Sequence, residues 1–385
     1  MPFFKPKSFL GIDIGAGGIK LVELRQEKNR PVLFTYGLTS ERQDVHRLAV
    51  GGKEKNITEL MKKESNTGEA EKNVKAVPDN MGDKQVEKYA NTIKAVCRAA
   101  KTTSKSATVG LPVSSVFHAV VTLPMVKKEE LDHILKAEIK KLLPMPLEEM
   151  ALDYQVIKGD TVEKTQRILV NAVPHSLIDF YSKVFQRAGL VLDALEPEST
   201  ALTRCLIGRD QAVSMLIDIG AERTNFFIID QSVPVTHQTI ESGGIKVDKI
   251  LQNILGVDSE SVEQVKYDLF DYLSLPKEGN VLSEQKFLDI FMPVVDPIMK
   301  EIDISFELYF RQTGNAGKHP EKVILTGGMG FMPYLAQYIS EKFKIKSYVG
   351  DPWARVVYQE GLKSVLHQIG PRMSVAIGLA LKNVI

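Results

Sequence analysis

The alternation of apolar and polar positions predicts the same three-stranded pattern twice along the chain. Each copy has two apolar runs and a third extended stretch, at 9–13, 19–24 and 32–38 in the first and at 213–218, 225–229 and 233–239 in the second. Small residues separate the first two runs, as is typical of tight turns between strands. The sequence therefore predicts a strand–turn–strand–turn–strand meander made twice, and long-period repetition of this kind predicts two similar domains facing each other.

Other apolar periodicities predict an α/β arrangement around these meanders. Helical spacing predicts helices at 85–101, 129–143, 175–188 with Gly189 as its C-cap, 199–207, 245–255, 261–270, 283–313 interrupted around Pro293 and Pro297, and 374–381. Short strands are predicted at 107–111, 116–123, 151–157, 166–172, 190–195 and 322–326, the last running into a glycine turn and a helix start.

Two segments of the first half differ from the meander. Residues 41–84 are polar and mixed in charge, which predicts a mobile insertion with one short helix near 57–62 and fast amide exchange. Residues 106–195 are predicted to form a compact α/β insertion, in which Leu131, Ile134, Leu135, Ile139 and Leu142 make the buried stripe of one helix. An insertion of this kind is suited to contact with a partner.

Composition narrows the class of protein without identifying it. The 385 residues fit two domains, and 44% hydrophobic with 25% charged residues is ordinary for a globular chain. A net charge of +1 gives no reason to expect a nucleic-acid partner. Cys97 and Cys205 lie far apart without metal-ligand spacing, which favours a reducing compartment. The sequence has neither a signal-peptide pattern nor an apolar run long enough to span a membrane.

The turn after the first strand of each meander carries the candidate chemistry. Asp13 precedes Gly15 in the first copy, and Asp218 precedes Gly220 in the second. Glycine lets backbone amides approach a phosphate without a side chain in the way. Two such loops could grip one nucleotide from both sides, with both carboxylates facing hydrated Mg²⁺. The alternative is a pair of ordinary hairpin turns, but two copies at domain-scale separation favour the nucleotide site.

Further candidates follow along the chain. Lys20 could point back to a phosphate or be a solvated strand lysine, and Gly243 and Gly244 precede a helix, where phosphate is favoured. Glu263 and Lys266, on one face of a helix, could bind a ribose or form a surface salt bridge.

Two other pairs complete the candidates. Gly327 and Gly328 follow a strand, so that backbone could approach an adenine or an α-phosphate. Glu196 and Glu198 could orient a water toward a γ-phosphate as catalytic residues, or be acidic residues favoured by a helix dipole.

At this point the residues resemble a known family. The ordered set Gly11–Gly15, Ile217–Ala221, Gly243–Gly244 and Ile324–Gly328, closed by a small-residue helix, resembles the actin-like ATPase superfamily, which includes actin, Hsp70, sugar kinases, MreB and FtsA. Within it the chain resembles the PilM family of type IV pilus assembly. That closer similarity rests on the start through Glu23, on the stretch 123–156, and on Arg187–Leu190 with Glu198–Ser199. It covers nearly the whole chain apart from residues 41–84.

The resemblance implies an α/β fold of the actin-like (ribonuclease H-like) type with ATP and Mg²⁺ in an interdomain cleft. The first domain would be residues 1–196 with a returning helix at 371–385, and the second residues 197–370; 106–195 would be the inserted FtsA/PilM-type subdomain. Nucleotide-binding roles carry over to Asp13, Gly15, Ala16, Gly17, Gly18, Lys20, Asp218, Gly220, Thr224, Gly243, Gly244, Glu263, Lys266, Gly327, Gly328 and Met329. Asp13 and Asp218 would hold Mg²⁺ through water.

The resemblance also implies partners. A PilM-like protein binds the cytoplasmic N-terminal peptide of PilN in a groove beside the 106–195 subdomain, works with other pilus platform proteins, and lies at the inner-membrane face through its partner without inserting. Self-association stays open. Relatives often have hydroxyl residues after the first Asp-x-Gly, but here Ala16, Gly17 and Gly18 follow. This predicts nucleotide binding with, at most, slow ATPase activity.

Two alternatives share the same fold. A small-molecule kinase would need a positioned Asp near the γ-phosphate and a polar substrate pocket, whereas the apolar faces of 106–195 favour a protein partner. An FtsA-like division protein usually adds an amphipathic membrane helix at its C-terminus, and the sequence ends after the small-residue helix.

Overall fold

The computed structural model describes residues 7–41, 79–157, 165–274, 283–312, 314–315 and 317–384. The chain divides into two compact units, Met1–Ala201 with Val375–Ile385 (unit 1) and Leu202–Ser374 (unit 2). The helix and the fast exchange predicted within 41–84 fall almost wholly outside the described residues.

Unit 1 is built on a five-stranded sheet of order β3-β2-β1-β4-β8. Its strands are β1 (Ser8–Gly15), β2 (Gly18–Glu27), β3 (Arg30–Leu38), β4 (Ser106–Leu111) and β8 (Val191–Pro197). The first three are antiparallel neighbours, which confirms the predicted meander, and β1, β4 and β8 run parallel.

Two helices cover one face of this sheet, α1 (Asp79–Ala99) and α3 (His175–Ala188). Ile12 of β1 packs in one apolar core with Ile93 of α1 and Phe185 of α3, all buried. Burying a side chain of this size stabilises a fold by about 1.5–3 kcal/mol. Helix α1 begins six residues before the predicted start, whereas α3 has the predicted bounds.

The opposite face of the sheet contacts the end of the chain. Gly11 alternates with the core residues of β1, and a Cβ on it would lie 2.5 Å from the backbone nitrogen of Ala380. Gly378 is equally close to backbone, since a Cβ there would lie 2.5 Å from the carbonyl carbon of Ala201. The predicted small-residue helix is therefore present, and its small residues allow the close packing seen at Gly11 and Gly378. It forms the last part of a longer helix, α9 (Lys363–Leu381), which continues through Pro371.

A second, three-stranded sheet of order β5-β7-β6 lies within unit 1. It consists of β5 (Phe117–Pro124), β6 (Met150–Val156) and β7 (Thr165–Pro174), with helix α2 (Lys128–Ile139) packed on it through a small apolar cluster. Residues 106–195 thus contribute to two sheets, because β4 and β8 are strands of the five-stranded sheet and α3 packs on that sheet. Leu142 was expected on the buried stripe, but its side chain is 50% exposed because α2 ends at Ile139.

Unit 2 repeats the plan with a sheet of order β11-β10-β9-β12-β13. Its strands are β9 (Ser214–Ile219), β10 (Thr224–Asp230), β11 (Val233–Ile240), β12 (Lys322–Thr326) and β13 (Lys346–Val349). Strands β9 to β11 form the second predicted meander, and β12 runs parallel to β9 and β13.

Helices complete unit 2. They are α5 (Gly244–Leu255), α6 (Val262–Ser274), α7 (Glu284–Phe310), α8 (Leu335–Phe343) and the first part of α9. The short helix α4 (Glu198–Leu202) and a π-helical turn (Thr203–Ile207) join the two units. After Gly330 the chain makes further turns, so the expected helix begins only at Leu335.

The predicted interruption around Pro293 and Pro297 is wrong, because α7 is continuous through both prolines. A proline inside a helix costs about 3 kcal/mol through its lost hydrogen bond and its ring clash. Phe291, Val294 and Ile298 on the same turns are buried in unit 2, and their burial offsets that cost. Among the described residues, no helix has the length and apolar character needed to cross a membrane.

Candidate functional site

The first candidate loop lies between β1 and β2 of unit 1. Asp13 stands directly opposite Lys20 in the antiparallel pair, and Lys20 Nζ lies 3.2 Å from Asp13 Oδ2. Both side chains are largely buried, with 12% and 7% of their surfaces exposed. A Cβ on Gly15 would lie 2.8 Å from Lys20 Nζ, which places the ammonium directly against the backbone of the loop. Lys20 is therefore a partly buried lysine aimed at the loop, not a solvated strand lysine.

The turn that follows is closed by packing against backbone. Gly18 has φ +111°, and a Cβ there would lie 2.8 Å from the carbonyl carbon of Thr39. The Thr39 amide donates a 2.9 Å hydrogen bond to the carbonyl of Ile19. Ala16 is buried in the core of unit 1, and Gly17 is half-buried. The loop therefore offers backbone and small residues, with carboxylate and ammonium at its base.

The two glutamates proposed as catalytic lie at the end of β8. Glu196 is buried, and its Oε1 lies 3.3 Å from Lys382 Nζ. Glu198 is in the first turn of α4, where the helix dipole favours an acidic side chain. Burial raises the pKa of Tyr181 well above its usual value, and the negative charges of Glu198 and Asp13 raise it further. The charges of Glu198 and Asp13 thus both reach Tyr181, a buried residue of unit 1.

The second candidate loop is in unit 2. Asp218 lies at the end of β9, beside Asn225 of β10 and Thr326 of β12. The amide of Gly220 donates to the carbonyl of Arg223 over 2.9 Å and closes the turn.

A glycine of the β12 turn packs against this loop. Gly327 has φ +84°, and a Cβ there would lie 2.5 Å from Asp218 Oδ1. The amide of Met329 donates to the carbonyl of Ile219 over 3.0 Å. The structure therefore brings Asp218, Gly220, Gly327 and Met329 together.

The helix start at Gly243 and Gly244 contacts the same loop. The amides of Gly244 and Ile245 donate 2.9 Å hydrogen bonds to the carbonyls of Gly220 and Ala221, and a Cβ on Gly243 would lie 2.6 Å from the Gly220 oxygen. These amides were expected to face a phosphate. They are instead donors within the chain, because two successive glycines let α5 approach the loop.

Three predicted ligands also have partners inside unit 2. Thr224 is fully buried, and its hydroxyl donates to the carbonyl of Ser242 over 2.6 Å. Lys266 Nζ is buried 2.6 Å from Asp248 Oδ1. Glu263 pairs instead with Arg372, at 3.3 Å. One alternative from the sequence was a surface salt bridge between Glu263 and Lys266. In the structure each pairs with a different residue instead.

Arg372, which no sequence pattern singled out, lies beside the glycine turn at Gly327–Gly328. Its Nη1 donates to the hydroxyl of Tyr267 over 2.8 Å, and its Cγ would lie 3.6 Å from a Cβ on Gly328. Tyr267 in turn stacks on Phe331 with ring centroids 5.6 Å apart. This group lines the glycine turn with aromatic rings and a guanidinium. Pro371, immediately before Arg372, was the only local signal, since it marks a change in the helix.

Each loop by itself offers one carboxylate, which suits a Mg²⁺ ion held chiefly by the oxygens of its ligand. Among the described residues, no group of three or more His, Cys, Asp or Glu side chains could hold a metal ion by itself. Mg²⁺ usually keeps several waters and is bound through one or two carboxylates plus phosphate oxygens. Asp13 and Asp218, each at a strand end beside a glycine turn, fit that description.

Comparisons with known proteins give a family and a fold. A family described as "Type IV pilus assembly protein PilM" matches residues 48–384. Among solved structures, a PilM-PilN type IV pilus biogenesis complex is 20% identical with a TM-score of 0.73, covering 99% of this chain and 100% of that one. The chain has the actin-like α/β fold.

Other solved structures are less similar. The ethanolamine utilization protein EutJ from Carboxydothermus hydrogenoformans is 14% identical with a TM-score of 0.49, over 98% of this chain and 91% of that one. MreB5 of Spiroplasma citri bound to ADP is 13% identical with a TM-score of 0.48, over 97% and 94%.

Proposed function

The chain belongs to the PilM family of type IV pilus assembly proteins, and from this premise we propose that it is a nucleotide-binding scaffold for a PilN-type partner. The family match over residues 48–384 carries the proposal. The similarity of nearly the whole chain to a PilM-PilN complex supports the choice of partner. A small-molecule kinase and an FtsA-like division protein are not favoured.

In this proposal the nucleotide is ATP with Mg²⁺. Asp13 and Asp218 would hold the cation through water, and the cation would neutralise phosphate charge. Lys20, already aimed at the first loop and 3.2 Å from Asp13, would donate to a phosphate oxygen. The glycine turn at Gly327–Gly328, lined by Arg372, receives the nucleoside part. Support comes from the two loops, each of which presents a carboxylate beside glycines; Gly18 and Gly327 have φ +111° and +84°, and a Cβ on either would meet backbone.

Hydrolysis is proposed to be slow at most. The first loop offers Ala16, Gly17 and Gly18, so it has no side-chain hydroxyl for a phosphate. Glu196 Oε1 lies 3.3 Å from Lys382 Nζ, so this carboxylate already has a partner within unit 1. Nucleotide binding then acts by favouring one conformation of the scaffold, to the extent that the two conformations differ in affinity.

The partner is proposed to be the cytoplasmic N-terminal peptide of a PilN-type protein, bound beside the small sheet. Exposed apolar side chains surround that sheet: Met125 after β5, Leu142 after α2 and Val156 at the end of β6 are 58%, 50% and 38% exposed. Strands β5 and β6 are both edge strands of the small sheet. Such edges and apolar side chains favour an extended peptide. Through this partner the protein would be peripheral at the inner membrane.

Calorimetric titration with a synthetic PilN-type N-terminal peptide, with and without Mg-ATP, tests the proposal. We expect peptide binding whose affinity changes when Mg-ATP is present. Asp13→Asn should remove the nucleotide effect and leave peptide binding in place. Asp289→Asn, an exposed carboxylate on α7, is the matched control and should behave like the original protein.

The outcomes separate the two halves of the proposal. If the peptide binds with the same affinity with and without Mg-ATP, the partner stands, but the coupling between nucleotide and peptide binding is removed. ATP binding without peptide binding would overturn the scaffold proposal and would favour a small-molecule kinase. A scrambled peptide of the same composition controls for charge.

A further inference from the structure

One end of the five-stranded sheet of unit 1 carries a group of exposed cations. Lys7 directly precedes β1 and Lys105 directly precedes β4. Lys28 and Arg30 lie at the turn between β2 and β3, and Lys101 follows α1. All five residues are exposed. We call this group the basic end.

Strand topology explains why residues so far apart in sequence share one end. Parallel strands begin at the same edge of a sheet, and β1, β4 and β8 are parallel neighbours. The antiparallel β2 returns to that edge, where the amide of Gln26 donates to the carbonyl of Lys7 over 3.1 Å. The amide of Val191, the first residue of β8, donates to the carbonyl of Lys105 over 2.8 Å.

The basic end is held in place by a buried carboxylate. Glu23 has no exposed surface and accepts hydrogen bonds from the hydroxyl of Ser8, from the amide of Thr103 at 2.7 Å and from the amide of Ser104 at 3.1 Å. It thereby ties the 101–105 loop to the start of β1. Lys28 and its neighbour Asn29 have φ +48° and +61°, as in the tight turns of two-residue hairpins. The cations are thus presented on a fixed backbone.

The charge of the basic end is not balanced by its surroundings. None of the five cations forms an ion pair with any part of the chain that the structure describes. In the segments 7–8, 25–31, 101–105 and 191–193 at this end, Glu27 and Asp193 are the exposed carboxylates. Five exposed cations and two exposed carboxylates therefore stand on the described part of this end, in a protein whose total charge is +1.

Apolar surface accompanies the charge. Val191 is 65% exposed, the largest exposed fraction among the bulky apolar side chains of the described residues. Its amide donates to the carbonyl of Lys105, so it lies beside one of the five cations. An exposed apolar side chain next to basic ones suits a lipid–water interface.

We propose that the basic end binds the surface of a membrane containing anionic lipids. Long, unpaired basic side chains suit a layer of phosphate headgroups, and Val191, the first residue of β8 at this same end, can enter the boundary beneath them. The basic end lies at the opposite end of β1 from Asp13, so it is separate from the proposed phosphate loop. Each basic residue near an anionic membrane strengthens binding about fivefold.

Co-sedimentation of the full chain with lipid vesicles tests this inference. We expect binding to vesicles of phosphatidylglycerol and phosphatidylcholine, loss of that binding in high salt, and none to phosphatidylcholine alone. The triple variant Lys28→Gln, Arg30→Gln, Lys105→Gln should bind roughly a hundredfold more weakly, and Lys105→Gln alone about fivefold. The control triple Lys249→Gln, Lys286→Gln, Lys342→Gln removes equal charge from exposed helix positions of unit 2 and should bind normally.

Equal losses in the two triple variants would overturn the inference, because net charge alone would then explain binding. Absence of binding to the anionic vesicles would also overturn it. Binding to soluble polyglutamate without binding to vesicles would replace the membrane by an acidic protein partner. The vesicles contain no protein, so none of these results depends on the PilN-type peptide. Circular dichroism melting of both triples establishes that they are folded.

Discussion

Replacing Lys266 with methionine removes an ammonium group from the interior of unit 2. Lys266 Nζ lies 2.6 Å from Asp248 Oδ1, and the two side chains are 7% and 12% exposed. The substitution leaves the Asp248 carboxylate buried without its cation. Asp248→Leu creates the reverse situation, with a buried ammonium and no carboxylate. Both changes are expected to destabilise unit 2, whether or not Lys266 also contacts a nucleotide.

The magnitude follows from the burial of the pair. Removing one partner of a buried ion pair costs about 3–5 kcal/mol, because the remaining charge is desolvated and uncompensated. Replacing both partners by apolar residues of similar volume is often neutral or stabilising. We therefore expect each single variant to lose about 3–5 kcal/mol of unfolding free energy. The double variant Lys266→Met, Asp248→Leu should recover most of that loss.

Chemical denaturation followed by tryptophan fluorescence measures these changes. The chain has a single tryptophan, Trp353, which is 2% exposed and lies in unit 2. Its emission therefore reports the unit that contains the ion pair. A double-mutant cycle on the three variants gives the coupling energy between the two side chains.

Nucleotide affinity distinguishes this structural role from a ligand role. If Lys266→Met changes the unfolding free energy by less than about 0.5 kcal/mol, as substitutions away from buried features do, and abolishes nucleotide binding, the reasoning is refuted. Lys266 would then be a ribose ligand, which is one of the two alternatives that its sequence position left open. An additive cycle, with no recovery in the double variant, would refute it equally.

Two further predictions concern the packing and the thiols. Gly378→Ala should destabilise unit 1 by about 1–3 kcal/mol in thermal or chemical denaturation, because its Cβ would lie 2.5 Å from the carbonyl carbon of Ala201. Gly82→Ala on α1, with nothing within 4 Å, is the control and should be neutral or stabilising by up to about 1 kcal/mol. Burial raises the pKa of Cys205 from 9.0 to about 12, so it should react with a thiol reagent at pH 8 only after unfolding. The folded state keeps the Cys205 proton to higher pH than the unfolded state does. The contribution of this thiol to stability is therefore complete below about pH 9 and falls as the pH rises toward about 12. If the denaturation midpoint of a Cys205→Ala variant fell over this pH range as much as that of the original protein, the assignment would be contradicted.

Local pattern was enough to predict the elements that bury one face. Both meanders alternate apolar and polar residues, and each appears where the alternation predicts it. Helix α3 has the predicted bounds because its apolar stripe ends where Gly189 adopts φ +77° as the C-cap. In these elements, a short stretch of sequence contains both the apolar spacing and the residue that ends the element.

Partner choice could not be read in the same way. Lys266 and Glu263 look like a surface pair on one helix, yet their partners Asp248 and Arg372 come from α5 and α9. Thr224 resembles a ligand in sequence, but the return of the chain at Ser242 buries its hydroxyl. Helix α7 continues through two prolines because burial along its length, which no local rule includes, outweighs their cost. Each of these outcomes depends on segments distant in sequence.

The contact of Gly11 with the last helix has a consequence for biosynthesis. Unit 1 needs residues Val375–Ile385 to cover the face of β1 on which Gly11 lies, while unit 2 is one continuous segment, Leu202–Ser374. A ribosome delivers Gly11 of β1 364 residues (375 − 11) before Val375, where the segment that covers it begins. At about 5–20 residues per second, the nascent sheet of unit 1 spends tens of seconds with that face bare, and unit 2 can fold before unit 1 is complete.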